Sequence, residues 1–273
     1  MVDDWFGRYE YLLFERPSPG VLLVTQNRPE HGNANIPPMH TELYEVWSDI
    51  ARDDETLVVV ITGAGDRFSL GGDMSGTWQP AEADRLPPGQ AKVRSFHEVV
   101  GIPEAMINLD KPIISAINGA ALASGAALAL CADISVMNED ARLSDGHARG
   151  GMVAGDHGSW MWPLLTSLTK AKYYLMTAAP IDGREAERIG LVTFAVPADE
   201  VLPRALEIAS QLAVGPQHAI RWTKRTLNHW ARQQIPIHEL STALEMLSTN
   251  IEGGAEAGEA MRLAMRERER RPR

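Results

Sequence analysis

A single cysteine, Cys131, stands in a chain of 273 residues, so no intramolecular disulfide is available and a reducing cytoplasm is the expected setting. Cationic residues are also scarce: 26 Lys and Arg against 36 Asp and Glu leave a net charge of −10. Six Arg and two Glu in Met261–Arg273 put that tail at +4 and the rest of the chain at −14. An acidic body repels nucleic-acid phosphates, and no nucleic-acid partner is expected. The basic tail reads as a solvated helix end with i,i+4 Glu/Arg pairing. The N-terminus lacks the basic start and apolar run of a signal peptide. The longest uncharged stretch, Pro112–Ala132, is broken by Ser115, Asn118, Ser124 and two glycines, which favours a buried strand, a turn and a buried helix over a membrane span. No G-K-[ST], H-E-x-x-H or close His pair occurs, so neither a P-loop nor a metal site is expected.

What is present suits a large core. With 44% hydrophobic residues, a chain of this size buries roughly 70–75% of its unfolded surface. Tyr9–Glu15 and Val21–Gln26 are apolar runs separated by Pro17-Ser-Pro-Gly20, a hairpin signal. Met39, Leu43, Val46, Trp47 and Ile50 recur at helical spacing, and Leu57–Thr62 reads as a strand buried on both faces. That order predicts a right-handed βαβ crossover. Further on, a helix is expected over Gln90–Leu109, a strand over Pro112–Asn118 and a helix from Ser124. Short strands are expected at Ile134–Met137 and Ala141–Ser144, then mostly helix from Gly158. Pro80–Gly89 has few apolar anchors and is expected to be mobile. Leu240, Leu244, Leu247 and Ile251 form a stripe expected in a core or a subunit seam. The fold class is α/β with a helical C-terminal region.

Two Gly-rich turns leave predicted strands for predicted helices: Asp66-Arg-Phe-Ser-Leu-Gly-Gly-Asp73 and Asn118-Gly-Ala-Ala-Leu-Ala-Ser-Gly125. Glycine admits close backbone approach, and a helix N-terminus offers unpaired N–H groups, so two such turns can bind a developing oxyanion. Neither carries the G-x-G-x-x-G of a dinucleotide site. Taken alone, they are also what tight strand-on-helix packing produces.

Together, Phe68-Ser-Leu-Gly-Gly-Asp73 and Lys111-Pro-Ile-Ile-Ser-Ala-Ile-Asn-Gly119 resemble the crotonase, or enoyl-CoA hydratase/isomerase, superfamily, and the likeness continues through Cys131–Ser135, Asp182–Val192 and Ala219–Leu227. The resemblance implies a crotonase-type ββα spiral over residues 1–193 and a C-terminal helical trimerisation region over 194–273. It implies an acyl-CoA substrate, with coenzyme A as part of that substrate and no separate cofactor, and a homotrimer or dimer of trimers. It places oxyanion N–H donors at Leu70 and Ser124 and further substrate contacts at Phe68, Ser69, Gly71, Asp73, Gly125 and His40. Lys224 and Arg225 are further candidates for meeting CoA phosphates.

The first of the two glutamates of standard hydratases falls on Ala127, which has no acid function. The second falls at or next to His147, with Asp156 nine residues on. A carboxylate-oriented imidazole is a competent general base. His147 and Asp156 are therefore the expected catalytic pair. The same pair, with Gly155–Pro163, resembles the 6-oxocamphor (β-diketone) hydrolase subgroup, in which a His and an Asp activate water for C–C cleavage. The retained Gly71-Gly72-Asp73 loop resembles the CoA-binding members instead. A non-catalytic crotonase-fold binding protein is the third reading, motivated by Ala127.

Overall fold

The computed structural model describes residues 5–75, 78–79, 85–251 and 253–269. The N-terminal hairpin pairs β1 (Leu12–Ser18) with β2 (Val21–Gln26), antiparallel. Helix α1 (Pro37–Arg52) then crosses to β3 (Val58–Gly63), which lies parallel to β2. The first strand begins at Leu12 and not Tyr9, because the Tyr9 ring packs edge-on against Trp5 and Phe14 and its hydroxyl bonds Asp49.

From β3 the chain repeats one pattern. Each long strand is followed by a short strand in a second sheet and then by a helix or helical turn. Thus β3 leads to β4 (Arg67–Ser69) and α2 (Pro88–Asn108). Next, β5 (Ile113–Ile117) leads to β6 (Ala120–Leu122) and α3 (Ser124–Leu130). Then β7 (Ile134–Asn138) leads to β8 (Arg142–Ser144), a 3-10 turn at His147–Gly150 and α4 (Gly158–Leu165). The main sheet runs β1-β2-β3-β5-β7-β10 and the second β4-β6-β8-β9, where β9 is Ile181–Asp182 and β10 is Phe194–Val196. This is the expected ββα spiral. Strands β4 and β6 were not anticipated, since three residues are too few to show a period.

The main sheet is covered on both faces, which is why its strands are apolar throughout. Leu22, Val24, Val59 and Ile61 face a large core with Met39, Leu43, Trp47 and Ile50 of α1. Val21, Leu23, Val58 and Val60 point the other way, onto Ala205, Ala209 and Ala213 of α7 (Val201–Ala213). The alanine row lets α7 lie close to the sheet. Strand β10 pairs with β7, so the packed core continues past residue 193 to Ala213.

After β8 come α5 (Leu168–Thr177) and α6 (Gly183–Arg188). Beyond α7 lie α8 (Gln217–Leu227), α9 (His229–Arg232), α10 (Ile235–Ser248) and α11 (Gly254–Glu269). Pro112–Ala132 resolves into β5, β6 and α3, and no described helix is long and apolar enough to cross a membrane. Of the segment expected to be mobile, residues 80–84 lie outside the described ones, and α2 begins at Pro88. The last four residues of the Arg-rich tail also lie outside them.

Trp47 is 2% exposed at the α1–sheet contact. Trp47→Ala is expected to cost about 3–5 kcal/mol in urea unfolding, from lost transfer energy plus the cavity left behind. A loss below 1 kcal/mol would show that α1 is not anchored there.

Candidate functional site

The two Gly-rich turns meet directly. A Cβ on Gly125 would lie 2.4 Å from the Ser69 carbonyl oxygen, and one on Gly71 would lie 2.6 Å from the Leu122 carbonyl oxygen. Gly71 also has φ +83°, so glycine is required there on two counts. Asn35 ties the pair together. Its N–H donates to Gly71 O at 2.7 Å, its carbonyl accepts from Asp73 N–H at 2.9 Å, and its Nδ2 donates to Ser124 Oγ at 3.2 Å.

This geometry reassigns several expected contacts. Leu70 N–H already donates to the Gly32 carbonyl at 3.0 Å, so it is not the free donor of the first turn. Gly72 is. Its N–H has no acceptor among the described residues, nothing lies within 4 Å of its Cβ position, and it lines a cavity of 1940 Å³. Ser124 lines the same cavity, and its N–H, in the first turn of α3, has no acceptor among the described residues.

The other residues expected to contact substrate have structural partners. Phe68 is core, and Ser69 is buried with its hydroxyl on the Asn33 carbonyl at 2.8 Å. Asp73 is buried against Arg28 at 2.9 Å and accepts from Ser75 N–H at 2.9 Å, so it pins the loop. Gly71 and Gly125 set the close approach. Only His40 of this group lines the cavity. Lys224 is buried, with its ammonium 2.7 Å from Asp133. Its carboxylate partner and main-chain acceptors leave nothing for a phosphate. Ala127 is buried in α3.

His147 lines the same cavity, but its nearest partner is Asp145. Asp145 Oδ1 is 3.0 Å from His147 Nδ1 and accepts from His147 N–H at 3.1 Å. Asp156, the expected orienting carboxylate, is 4.0 Å from His147 Nδ1 and instead bonds His157 Nδ1 at 2.6 Å. On the other side of the ring, Glu245 Oε1 lies 3.5 Å from His147 Nε2. Among the described residues, Glu245 Oε2, Asp145 Oδ2 and His157 Nε2 are buried with no hydrogen-bond partner. Donor atoms of Asp145, His147 and Asp156 fall within 4.8 Å of one another, so Asp145 joins the pair expected from sequence. Here the two imidazole rings sit between the carboxylates.

Burial works against a charged His147, but Asp156, Asp145 and Glu245 outweigh it and raise its pKa well above the ordinary value. The surrounding carboxylates thus favour the protonated ring, the form that can donate a proton. Asp156 is also opposed by burial, yet His147 and His157 push its carboxyl well below the usual range. Burial pushes Glu245 up to about 7, with Asp156 and Asp145 adding to it and His147 opposing. The sign of each linkage follows. The His147 contribution to stability is complete below its unfolded value and lost as pH rises through the raised one; that of Asp156 is lost on acidification.

Sequence reading missed Asp145 and Glu245. Asp145 stood in view in Ser144-Asp-Gly-His147, where an Asp accepting from the backbone two residues on is a common turn signal. Glu245 had no such signal. It lies on α10 among His238, Ser241 and Thr242, a polar face turned inward, while Leu240, Leu244 and Leu247 face out. Ser241 Oγ donates to the Gly155 carbonyl at 2.8 Å, fixing that face against the loop bearing Asp156.

Spiral and paired turns together define a crotonase-type fold. Residues 16–261 match the enoyl-CoA hydratase/isomerase family, and this chain belongs to it. It is 32% identical over 228 residues to a probable enoyl-CoA hydratase of Mycobacterium tuberculosis, covering 83% of this chain and 80% of that one. It is 27% identical over 209 residues to the 1,2-epoxyphenylacetyl-CoA isomerase of Escherichia coli, covering 77% and 79%. A solved enoyl-CoA hydratase/isomerase from Mycobacterium paratuberculosis superposes with a TM-score of 0.82 at 28% identity, covering 92% of this chain and 98% of that one. The chain is an enoyl-CoA hydratase/isomerase-like enzyme acting on acyl-CoA.

Asp145→Asn is expected to lower the His147 pKa by removing its closest carboxylate, as read by histidine-selective NMR titration. An unchanged midpoint would place the controlling charge elsewhere.

Proposed function

We propose that this enzyme holds an acyl-CoA thioester with its carbonyl oxygen on the Gly72 and Ser124 N–H groups, and that it stabilises the enolate formed there. The observation carrying this reading is one cavity lined by both turns, by His147 and by Glu245. Main-chain donors of this kind gain most where charge develops, about 3–4 kcal/mol each in a measured case. The positive end of α3 adds to them. Coenzyme A enters as the carrier of the acyl group.

Glu245 is the base and His147 the acid. Near pH 7 a substantial share of Glu245 is ionised and can take the proton from the carbon next to the thioester, or from water. His147, kept protonated by its carboxylates, returns a proton to the enolate or its neighbouring carbon. Asp145 and Asp156 hold the imidazolium in place, and His157 holds Asp156. This division of labour does without a carboxylate at position 127, so dedicated hydratase rates on crotonyl-CoA are not expected. A trimer fits the exposed Leu240, Leu244, Leu247 and Ile251 stripe.

A second reading, C–C cleavage of a β-diketone as in the 6-oxocamphor hydrolase subgroup, is favoured by the Asp156–His147–Glu245 constellation. There Glu245 would activate water for attack on one carbonyl, with the departing enolate on the two N–H groups.

Calorimetry with acetoacetyl-CoA is expected to give saturable binding; no heat at millimolar ligand counts against the acyl-CoA reading. In assays of enoyl-CoA hydration and isomerisation, Glu245→Gln is expected to lower kcat by about 10²–10⁴-fold and to remove a limb of the pH profile near 7. An unchanged kcat and profile would remove Glu245 from the chemistry. Cleavage of a CoA-free β-diketone at a higher kcat/KM than any thioester would select the second reading.

A further inference from the structure

Helices α1 and α2 give the same cavity a second polar surface, centred on Glu98. This side chain is buried and both its oxygens are in use. Oε2 lies 3.0 Å from His40 Nδ1, while Oε1 accepts from Thr41 Oγ1 at 2.8 Å and from Arg94 Nε at 2.9 Å. Arg94 Nη2 also donates to Thr41 Oγ1 at 2.7 Å. Burial opposes the Glu98 charge, but His40, Arg94 and Thr41 overcome it and hold the carboxyl below its usual range.

An ionised carboxylate can only accept, so the ring nitrogen facing it is the one that carries hydrogen. In the neutral ring His40 Nε2 is then left with a lone pair. His40, Thr41 and Arg94 all line the cavity. Among the described residues neither His40 Nε2 nor Arg94 Nη1 has a hydrogen-bond partner. The unused capacity of this surface is therefore one acceptor and one donor, on two side chains that share the Glu98 carboxylate, His40 largely buried and Arg94 half-exposed.

We infer that this surface recognises a hydroxyl group on the acyl chain, beyond the thioester carbonyl, so that the substrates are hydroxyacyl-CoA thioesters. The hydroxyl hydrogen is donated to His40 Nε2 and its oxygen accepts from Arg94. A ketone can use only the Arg94 donor. A carboxylate would meet the Glu98 charge, which Arg94 already balances. A plain methylene would desolvate the His40 lone pair and return nothing. This inference rests on the acyl-CoA reading and adds the substrate class to it.

The test is calorimetry of the full chain with hexanoyl-CoA, its 4-, 5- and 6-hydroxy derivatives, 5-oxohexanoyl-CoA and adipoyl-CoA. At least one hydroxy derivative is expected to bind about tenfold tighter than hexanoyl-CoA. His40→Leu is expected to abolish that advantage, with an unchanged urea-unfolding midpoint and far-UV spectrum reporting that the variant is folded. Arg94→Met, with His40 intact, is expected to shrink it. The inference is overturned if no hydroxy derivative gains, if the oxo or dicarboxylic ester binds tightest, or if the advantage survives both substitutions. Failure of all six esters to bind would overturn the acyl-CoA reading itself, whereas binding without preference overturns the hydroxyl alone.

Discussion

Everything at this site depends on two chain segments meeting at a distance that admits no Cβ. Gly125 sits on the Ser69 carbonyl and Gly71 on the Leu122 carbonyl, with 2.4 and 2.6 Å as the distances any side chain would have to accept. No real Cβ tolerates that, so the sequence at these two positions is dictated by packing. What the contact delivers is chemical. It brings the end of β4 against the start of α3 and leaves the N–H groups of Gly72 and Ser124 without acceptors among the described residues, beside one cavity. The spiral exists to present two strand ends at this point. Asn35, from the first crossover loop, joins them with both its backbone and its side chain.

The second organising element is a buried imidazole among carboxylates. Isolated, each of these groups would shed its charge on burial. Together they hold charge because His147 meets Asp145, Asp156 and Glu245, and Asp156 meets His157. Breaking a buried pair typically costs about 3–5 kcal/mol, since the surviving charge is stranded. The environments also pull the carboxyls apart: Asp156 is held down by two imidazoles despite its burial, while burial, with the other carboxylates adding to it, pushes Glu245 up to about 7. Separation of this kind is how one pocket acquires both an acid and a base near neutral pH.

The fold was legible where periodicity was long. The α1 stripe and the β-branched run before Gly63 were read correctly because tertiary packing acts on them as their patterns suggest. Of the three-residue strands of the second sheet, β8 was read at Ala141–Ser144, while β4 and β6 were not, because sheet pairing rather than local pattern makes them strands. The site was half legible. Ser124 and His147 stood in recognisable turns and line the cavity. Leu70 did not hold as a donor, since only the fold shows that Gly32 already takes its N–H. Asp145 was overlooked in a motif already quoted. Glu245 was invisible for a physical reason: α10 is amphipathic in the inverted sense, with leucines outward and polar side chains inward, and its stripe drew attention to the wrong face.

Glu245 also has a place in time. Ribosomes deliver the chain from the N-terminus, and both sheets, both Gly-rich turns and the whole Asp145–His147–Asp156 group have been made well before residue 245 appears. The carboxylate nearest His147 Nε2 thus sits on an element made much later than the ring itself. Only when α10 settles with Ser241 on the Gly155 carbonyl does the last ionisable group arrive. On the proposed assignment, the acid is made long before its base, and one late helix completes the pair.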